Sequence, residues 1–308
     1  MRKRTLLALV ALMAAIAMLA AACGGDDDDS GAADTGSSTP EGPTITIRGQ
    51  DFSESATIAE VYGQYLKAKG YDVNILEPAG FRTEALDGLK NGDLNLIVDY
   101  IGGDQTALAP DEKSTADAAA TADIIRPLLA DQGSTLLDYS PAVDGDALVV
   151  RGDFDGTNIS DLKTANAKFG ASSQCFERPQ CYIGLTDPDV YGIKFASKKT
   201  IEFGPLLGEA LKAKEVDAVI WNTTAPQITA DGFKVLKDDK GLFPAQNIAP
   251  IANTEMLTAY GDQLKTDLND LSAQITTDDL LAWNTSTDID KQESDQVATD
   301  WLTEKGLN

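Results

Sequence analysis

Cys175 and Cys181 bracket five residues in "CFERPQC", Arg178 stands between them, and Cys23 is the remaining cysteine of the chain. A thiol pair can hold a metal, exchange electrons or form a structural disulfide. A metal would need further ligands, and the chain contains no histidine to supply them. Redox pairs of the CxxC type are more closely spaced. A disulfide is the remaining chemistry, provided that the compartment is oxidising. Closing so short a loop adds ~2–3 kcal/mol by the chain-entropy model. Its greater effect is local, because it fixes the backbone that carries Arg178. A guanidinium held in this way can pair bidentately with a carboxylate. Taken alone, the same residue also reads as a surface arginine in a stapled loop.

The absence of histidine removes Ser-His-Asp and Cys-His catalysis. An enzyme would have to work with carboxylates, lysine or a cofactor, and an enzyme is not expected. No GxGxxG follows a strand and no Walker-type loop is present, so no nucleotide cofactor is expected. Asp and Glu number 49 against 25 Lys and Arg, a formal charge of −24. Nucleic acid binding, which needs clustered cations, is excluded on that ground. The acidity suits a cationic small molecule and equally suits a plain solvated surface.

The first residues indicate the compartment. "MRKR" precedes the apolar run "TLLALVALMAAIAMLAAAC", the layout of an export signal over residues 1–22. "LAAAC" resembles a lipobox with Leu19 one place further out than usual. Cys23 is therefore expected to be lipidated, anchoring the chain to the outer face of a bacterial cytoplasmic membrane. Residues 23–42, "CGGDDDDSGAADTGSSTPEG", read as a flexible linker with too few apolar groups to fold, and "DDDD" as solvated tether. With Cys23 taken by lipid outside the cytoplasm, Cys175 and Cys181 are left for each other.

The elements that position these groups follow from hydrophobic spacing. "TITIRG" alternates as a strand, and Ile58, Val61, Tyr62, Tyr65 and Leu66 recur at helical spacing before Gly70. "YDVNIL" is a strand, "RTEALDGLKNG" a helix stopping at Gly92, and "LNLIVDY" a nearly continuous apolar strand. This β-α-β-α-β order predicts a parallel sheet covered by helices. The pattern repeats in kind with "DALVVRGD", a helix near "SDLKTANA", and strands at "KFGASS", "VDAVIW" and "FKVLKDD", with a helix in "FGPLLGEALKAKEV". "FPAQNIAPIAN" is extended, and the chain from Glu255 reads as helical. Two such units without a long linker predict an α/β protein of two lobes. Ligands of such sheets bind beyond the strand ends or between lobes. Tyr100 ends "LNLIVDY" before two glycines, and Trp221 ends "VDAVIW" before polar residues. Each aromatic alone also reads as packing; together, at equivalent strand ends, they are candidate walls of a site.

Residues 44–308 resemble the substrate-binding proteins of ABC transporters for osmoprotectants such as glycine betaine, choline and carnitine. "LKNGDLNLIVDYIGG" is similar to the family's segment containing EYTGT, "VDAVIWNTTAPQI" to that containing YSTDG, and "LKDDKGLFPAQNIAPI" to LEDDKGFFPPYNAAPV. The resemblance implies the two-lobed type II periplasmic binding protein fold, with the ligand in the inter-lobe cleft. It implies lobe 1 at residues 43–146 plus 251–308, lobe 2 at 147–250, and crossings near Ala147 and Pro250. It also implies a monomer that delivers solute to a permease and ATPase complex. The family holds a quaternary ammonium in an aromatic cage through cation–π attraction and pairs an arginine with the ligand carboxylate. Two cage aromatics fall on Tyr100 and Trp221, and the arginine falls on Arg178. The other cage tyrosines fall on Asp146 and Gln246. The family's lysine near the first strand falls on Gln50, with Asp51 beside it, and the threonine after EYTG on Gly103. Half the cage is thus polar, which implies either an ammonium carrying N–H groups, held between Tyr100 and Trp221 and bonded to Asp146 and Gln246, or an ordinary betaine or choline site with Asp146 and Gln246 outside the contact shell.

Overall fold

Residues 41–308 are described in the computed structural model; the expected signal, Cys23 and all but the last two residues of the linker lie outside the described residues. The strands are β1 (Ile45–Arg48), β2 (Val73–Leu76), β3 (Leu96–Tyr100), β4 (Ser134–Leu136), β5 (Asp146–Val150), β6 (Lys168–Ala171), β7 (Ser197–Thr200), β8 (Ala218–Asn222), β9 (Lys234–Leu236) and β10 (Ile248–Asn253). They form two five-stranded sheets among the described residues, ordered β2-β1-β3-β10-β4 and β7-β6-β8-β5-β9. The longer helices are α1 (Ser53–Ala68), α2 (Arg82–Asn91), α3 (Ile101–Leu108), α4 (Ala118–Ala130), α5 (Pro205–Lys212), α6 (Pro226–Ala230), α7 (Thr254–Tyr260), α8 (Asp262–Ser272), α9 (Thr277–Asn284) and α10 (Ser294–Lys305). None of the described helices is long and apolar enough to cross a membrane.

The sequence predicts parallel sheets, and both sheets are mixed. In the first, β2, β1 and β3 are parallel while β10 runs antiparallel to β3 and β4. In the second, β7, β6 and β8 are parallel while β5 runs antiparallel to β8 and β9. The reversed strands are the ones that arrive from the other lobe. A strand delivered by a crossing begins at the sheet end where its neighbours finish, so it has to run against them. Ile248 accordingly lies opposite Tyr100, and Asp146 opposite Asn222. By strand pairing, Asp146 already stands in the second sheet, and Ile248 to Pro250 already stand in the first. The crossing segments touch each other through a bridge between Val143 and Asn247, and Asp144 N donates to the Gln246 carbonyl at 3.2 Å.

The helices cover both faces of each sheet. Leu96, Val98 and Tyr100 face one core with Ile58, Val61, Tyr62, Tyr65 and Leu66 of α1, while Ile97 and Ile101 face another with Leu86 and Leu89 of α2. Gly70 and Gly92, at φ 91° and 83°, end α1 and α2 in backbone that other residues adopt only at a cost. In the second lobe Ala218 and Ile220 face one core, and Val219 and Trp221 face the opposite one. That alternation decides where the candidate site residues point.

Candidate functional site

The ends of β3 and β8 meet at the lobe junction, and a chain of buried polar groups joins them. Glu54, in the first turn of α1, is buried, although a helix N-terminus would stabilise a carboxylate equally well on the surface. It accepts from the Tyr100 hydroxyl at 2.6 Å and from Asn284 Nδ2 at 2.5 Å. Asn284 Nδ2 also donates to the Thr224 carbonyl at 3.1 Å, which bridges the lobes. The Thr224 hydroxyl in turn donates to Asp144 at 2.8 Å. Burial pushes the Glu54 carboxyl up to about 8, and the charge of Asp144 adds to the rise; hydrogen bonds from Tyr100, Thr224 and Asn284 oppose it. Burial raises Asp144 as well, against hydrogen bonds from Thr224, Asn222 and Glu54. Glu54 and Asp144 thus each disfavour ionisation of the other.

A cavity of about 340 Å³ lies over this chain, lined from both lobes by Phe52, Glu54, Asp144, Phe203, Trp221 and Asn284 among others. Phe52 is 38% exposed and Phe203 58%. The sequence-predicted walls sit deeper. Tyr100 is buried and stacks at 6.3 Å on Phe52, with 27° between the rings. Trp221 is 2% exposed and lies against α5, where a Cβ on Gly208 would come within 3.1 Å of its ring.

The remaining predicted residues lie elsewhere around the strand ends. Asp146 faces the core of Leu148 and Val150, whereas Trp221 faces the opposite core with Ala147, so the two leave opposite faces of one sheet. Arg178 forms an ion pair with Asp146. The loop that carries it is closed by the Cys175–Cys181 disulfide, and both cysteines are buried in the second-lobe core. Burial raises the Asp146 carboxyl, and Arg178 opposes that rise. Gln246 Oε1 accepts from Gly103 N at 3.0 Å and so caps the start of α3. Gln50 is buried and donates to Asp99 at 2.9 Å. Asp51 is exposed, and its N–H is bonded to the Gly80 carbonyl at 2.9 Å. Asp99 also takes both arms of Arg82, at 3.1 and 2.9 Å. A Cβ on Gly103 would lie 2.2 Å from Arg82 Cζ, so only glycine leaves room for the guanidinium. A threonine there would have to push the guanidinium aside.

Sequence reasoning missed Phe52, Glu54, Asp144, Phe203 and Asn284. Phe52 and Phe203 carried one signal, the scarcity of aromatics, which make up only 6% of the chain. The three polar residues carried none, because each looks like ordinary surface polarity until its distant partner is known.

A family model for the substrate binding domain of the ABC-type glycine betaine transport system matches residues 43–304. The glycine-betaine-binding protein of Pseudomonas aeruginosa is 26% identical, over 86% of this chain and 88% of its own. The crystal structure of a glycine betaine/carnitine/choline ABC transporter superposes with a TM-score of 0.77 at 25% identity, covering 85% of this chain and 99% of the other. Apo YehZ from Escherichia coli superposes with a TM-score of 0.73 at 20% identity, over 86% and 99%. All match across both lobes.

Proposed function

Since the chain belongs to the family of substrate-binding domains of ABC-type glycine betaine transport systems, we propose that it is the extracytoplasmic solute receptor of an importer. In this reading it is tethered to the membrane through Cys23, acts as a monomer, and passes its solute unchanged to a permease and ATPase complex. The solute is a small cationic or zwitterionic molecule, an osmoprotectant of the glycine betaine, choline or carnitine kind or a non-quaternary amine of similar size. The observation that carries the reading is the cavity of about 340 Å³ lined by both lobes, with aromatic rings beside buried carboxyls. A cation gains about 0.5–2 kcal/mol over each aromatic face, depending on desolvation. Phe52 and Phe203 offer exposed rings, and Tyr100 and Trp221 back the wall behind them. Glu54, held largely protonated at neutral pH, and Asp144 place carboxyl oxygens at the base. Arg178 is engaged by Asp146 and does not line this cavity, so it serves the frame of the second lobe. Gln50, Asp51 and Gln246 hold the first-lobe frame around the strand ends.

A thermal-shift panel of glycine betaine, choline, carnitine, ectoine and amino acids tests this. A true ligand at 100 times its Kd adds ~2.7 kcal/mol of stability, and deleting the gene abolishes uptake of that solute. A panel with no shift, together with unchanged uptake, would overturn the reading.

A further inference from the structure

Asn284 ends α9, is 4% exposed and borders the inter-lobe cavity. Its amide nitrogen is committed to Glu54 and to the Thr224 carbonyl. Its carbonyl oxygen Oδ1 is buried and has no hydrogen-bond partner among the described residues. A buried acceptor in that state costs about 1–3 kcal/mol, a cost that a ligand donor would remove. Three of the surrounding donors are already engaged: the Tyr100 hydroxyl on Glu54, the Thr224 hydroxyl on Asp144, and Asn222 Nδ2 on Thr224. What the base of the cavity still has to offer is acceptor capacity, on Asn284 Oδ1, Glu54 and Asp144. At the rim, Lys291 donates to the Asp288 carbonyl at 2.7 Å, and Asp288 accepts from Ser53 at 2.7 Å.

Resting on the reading of this cavity as the solute site, we propose that it selects ammonium ions that retain N–H bonds, primary or secondary amines, over fully methylated ones. The ammonium donates to Asn284 Oδ1 and to the Glu54–Asp144 pair, and its carbon skeleton lies against Phe52 and Phe203. A quaternary ammonium has no N–H, so it gains only the point-charge and cation–π attraction and leaves Oδ1 desolvated and unpaired. An N–H ammonium adds charge-assisted hydrogen bonds to those attractions. The roles expected of Asp146 and Gln246 pass to these residues, because Asp146 is already neutralised by Arg178 and Gln246 by Gly103.

The test is calorimetric titration of the intact mature protein with ethanolamine, N-methylethanolamine, N,N-dimethylethanolamine and choline, which share one skeleton and lose N–H bonds stepwise. Satisfying one buried acceptor corresponds to roughly a 5- to 150-fold difference in affinity, with the steepest loss at the last methylation. Asn284→Ala removes one acceptor and is expected to narrow the ethanolamine-to-choline ratio by that factor, the Glu54–Asp144 acceptors keeping the rest of the preference. If that variant does not fold, the order of affinities in the wild type decides by itself. Choline binding tighter than ethanolamine, with the ratio unmoved by Asn284→Ala, overturns the selection while the cavity remains the solute site. No binding by any of the four also overturns it, and the broader ligand panel then judges the solute-site reading separately.

Discussion

Replacing Glu54 by glutamine separates the charge of the lobe junction from its shape. The glutamine carbonyl can still accept from Tyr100, and its amide meets Asn284, whose side chain must turn its oxygen toward it. What disappears is a carboxyl held at about 8 by burial and by Asp144. In the unfolded chain that carboxyl ionises near pH 4.5, so between the two values the folded state binds the extra proton. Stability then falls as pH rises: the contribution is complete below the unfolded value and is lost as pH climbs through the folded one. A whole proton of difference gives a slope of about 1.4 kcal/mol per pH unit. Sharing with Asp144 reduces it, so roughly 2–3 kcal/mol should vanish between about pH 5 and pH 8. The carboxyls lowered in the fold, Asp161, Glu215, Asp239 and Asp279, lose their contribution only at more acid pH and do not blur this window. The raised groups Asp104, Asp144 and Asp146 leave a residual slope of the same sign. Urea unfolding followed by circular dichroism at several pH values, wild type against Glu54→Gln, measures the difference. The expected result is a clearly shallower decline in the variant, whatever its absolute stability. Parallel pH profiles would refute the claim that Glu54 is held protonated.

Three further outcomes follow from the geometry. Trp221→Ala should cost ~3–5 kcal/mol in urea unfolding even without ligand, because the ring fills the core beside Gly208; Trp221→Phe is the variant that isolates its part in binding. Cys175→Ala with Cys181→Ala should lower stability by about 2 kcal/mol by scanning calorimetry, as expected for a short closed loop. Gly103→Thr should displace Arg82 from Asp99 and Asp104 and cost ~3 kcal/mol. In an Arg82→Ala background the same change should cost far less, and a double-mutant cycle measures that coupling.

The framework was legible because it is written in local spacing. The α1 core positions recur at helical intervals, Gly70 and Gly92 punctuate α1 and α2, and the paired cysteines had no competing partner outside the cytoplasm. What failed was anything that depends on register between distant segments. Alternation within "VDAVIWN" places Trp221 and Asn222 on opposite faces, but nothing local says that Asp146 pairs with Asn222 rather than with Trp221. Without that register, Asp146 and Trp221 looked like two sides of one cage, although they leave opposite faces. β4, β7, α3 and α4 were likewise missed. The first two are short and mostly polar strands; the last is an alanine-rich stretch whose Asp117 cap marks a start only in retrospect.

The polar substitutions in the cage show why the ligand was harder to read than the fold. Asp146 and Gln246 stand where aromatic residues were expected, and an unpaired polar group in a closing cleft demands a partner. Assigning that partner to the solute was reasonable, but the protein supplies it: Arg178 to Asp146 and the Gly103 N–H to Gln246. At the cavity, the buried oxygen without a partner among the described residues belongs to Asn284, in none of the stretches that carried the family resemblance. Its need arises only because its amide nitrogen is drawn to Glu54 from one lobe and to the Thr224 carbonyl from the other. A vacancy of that kind is a property of three chain segments meeting, so it becomes visible only when the lobes are set together.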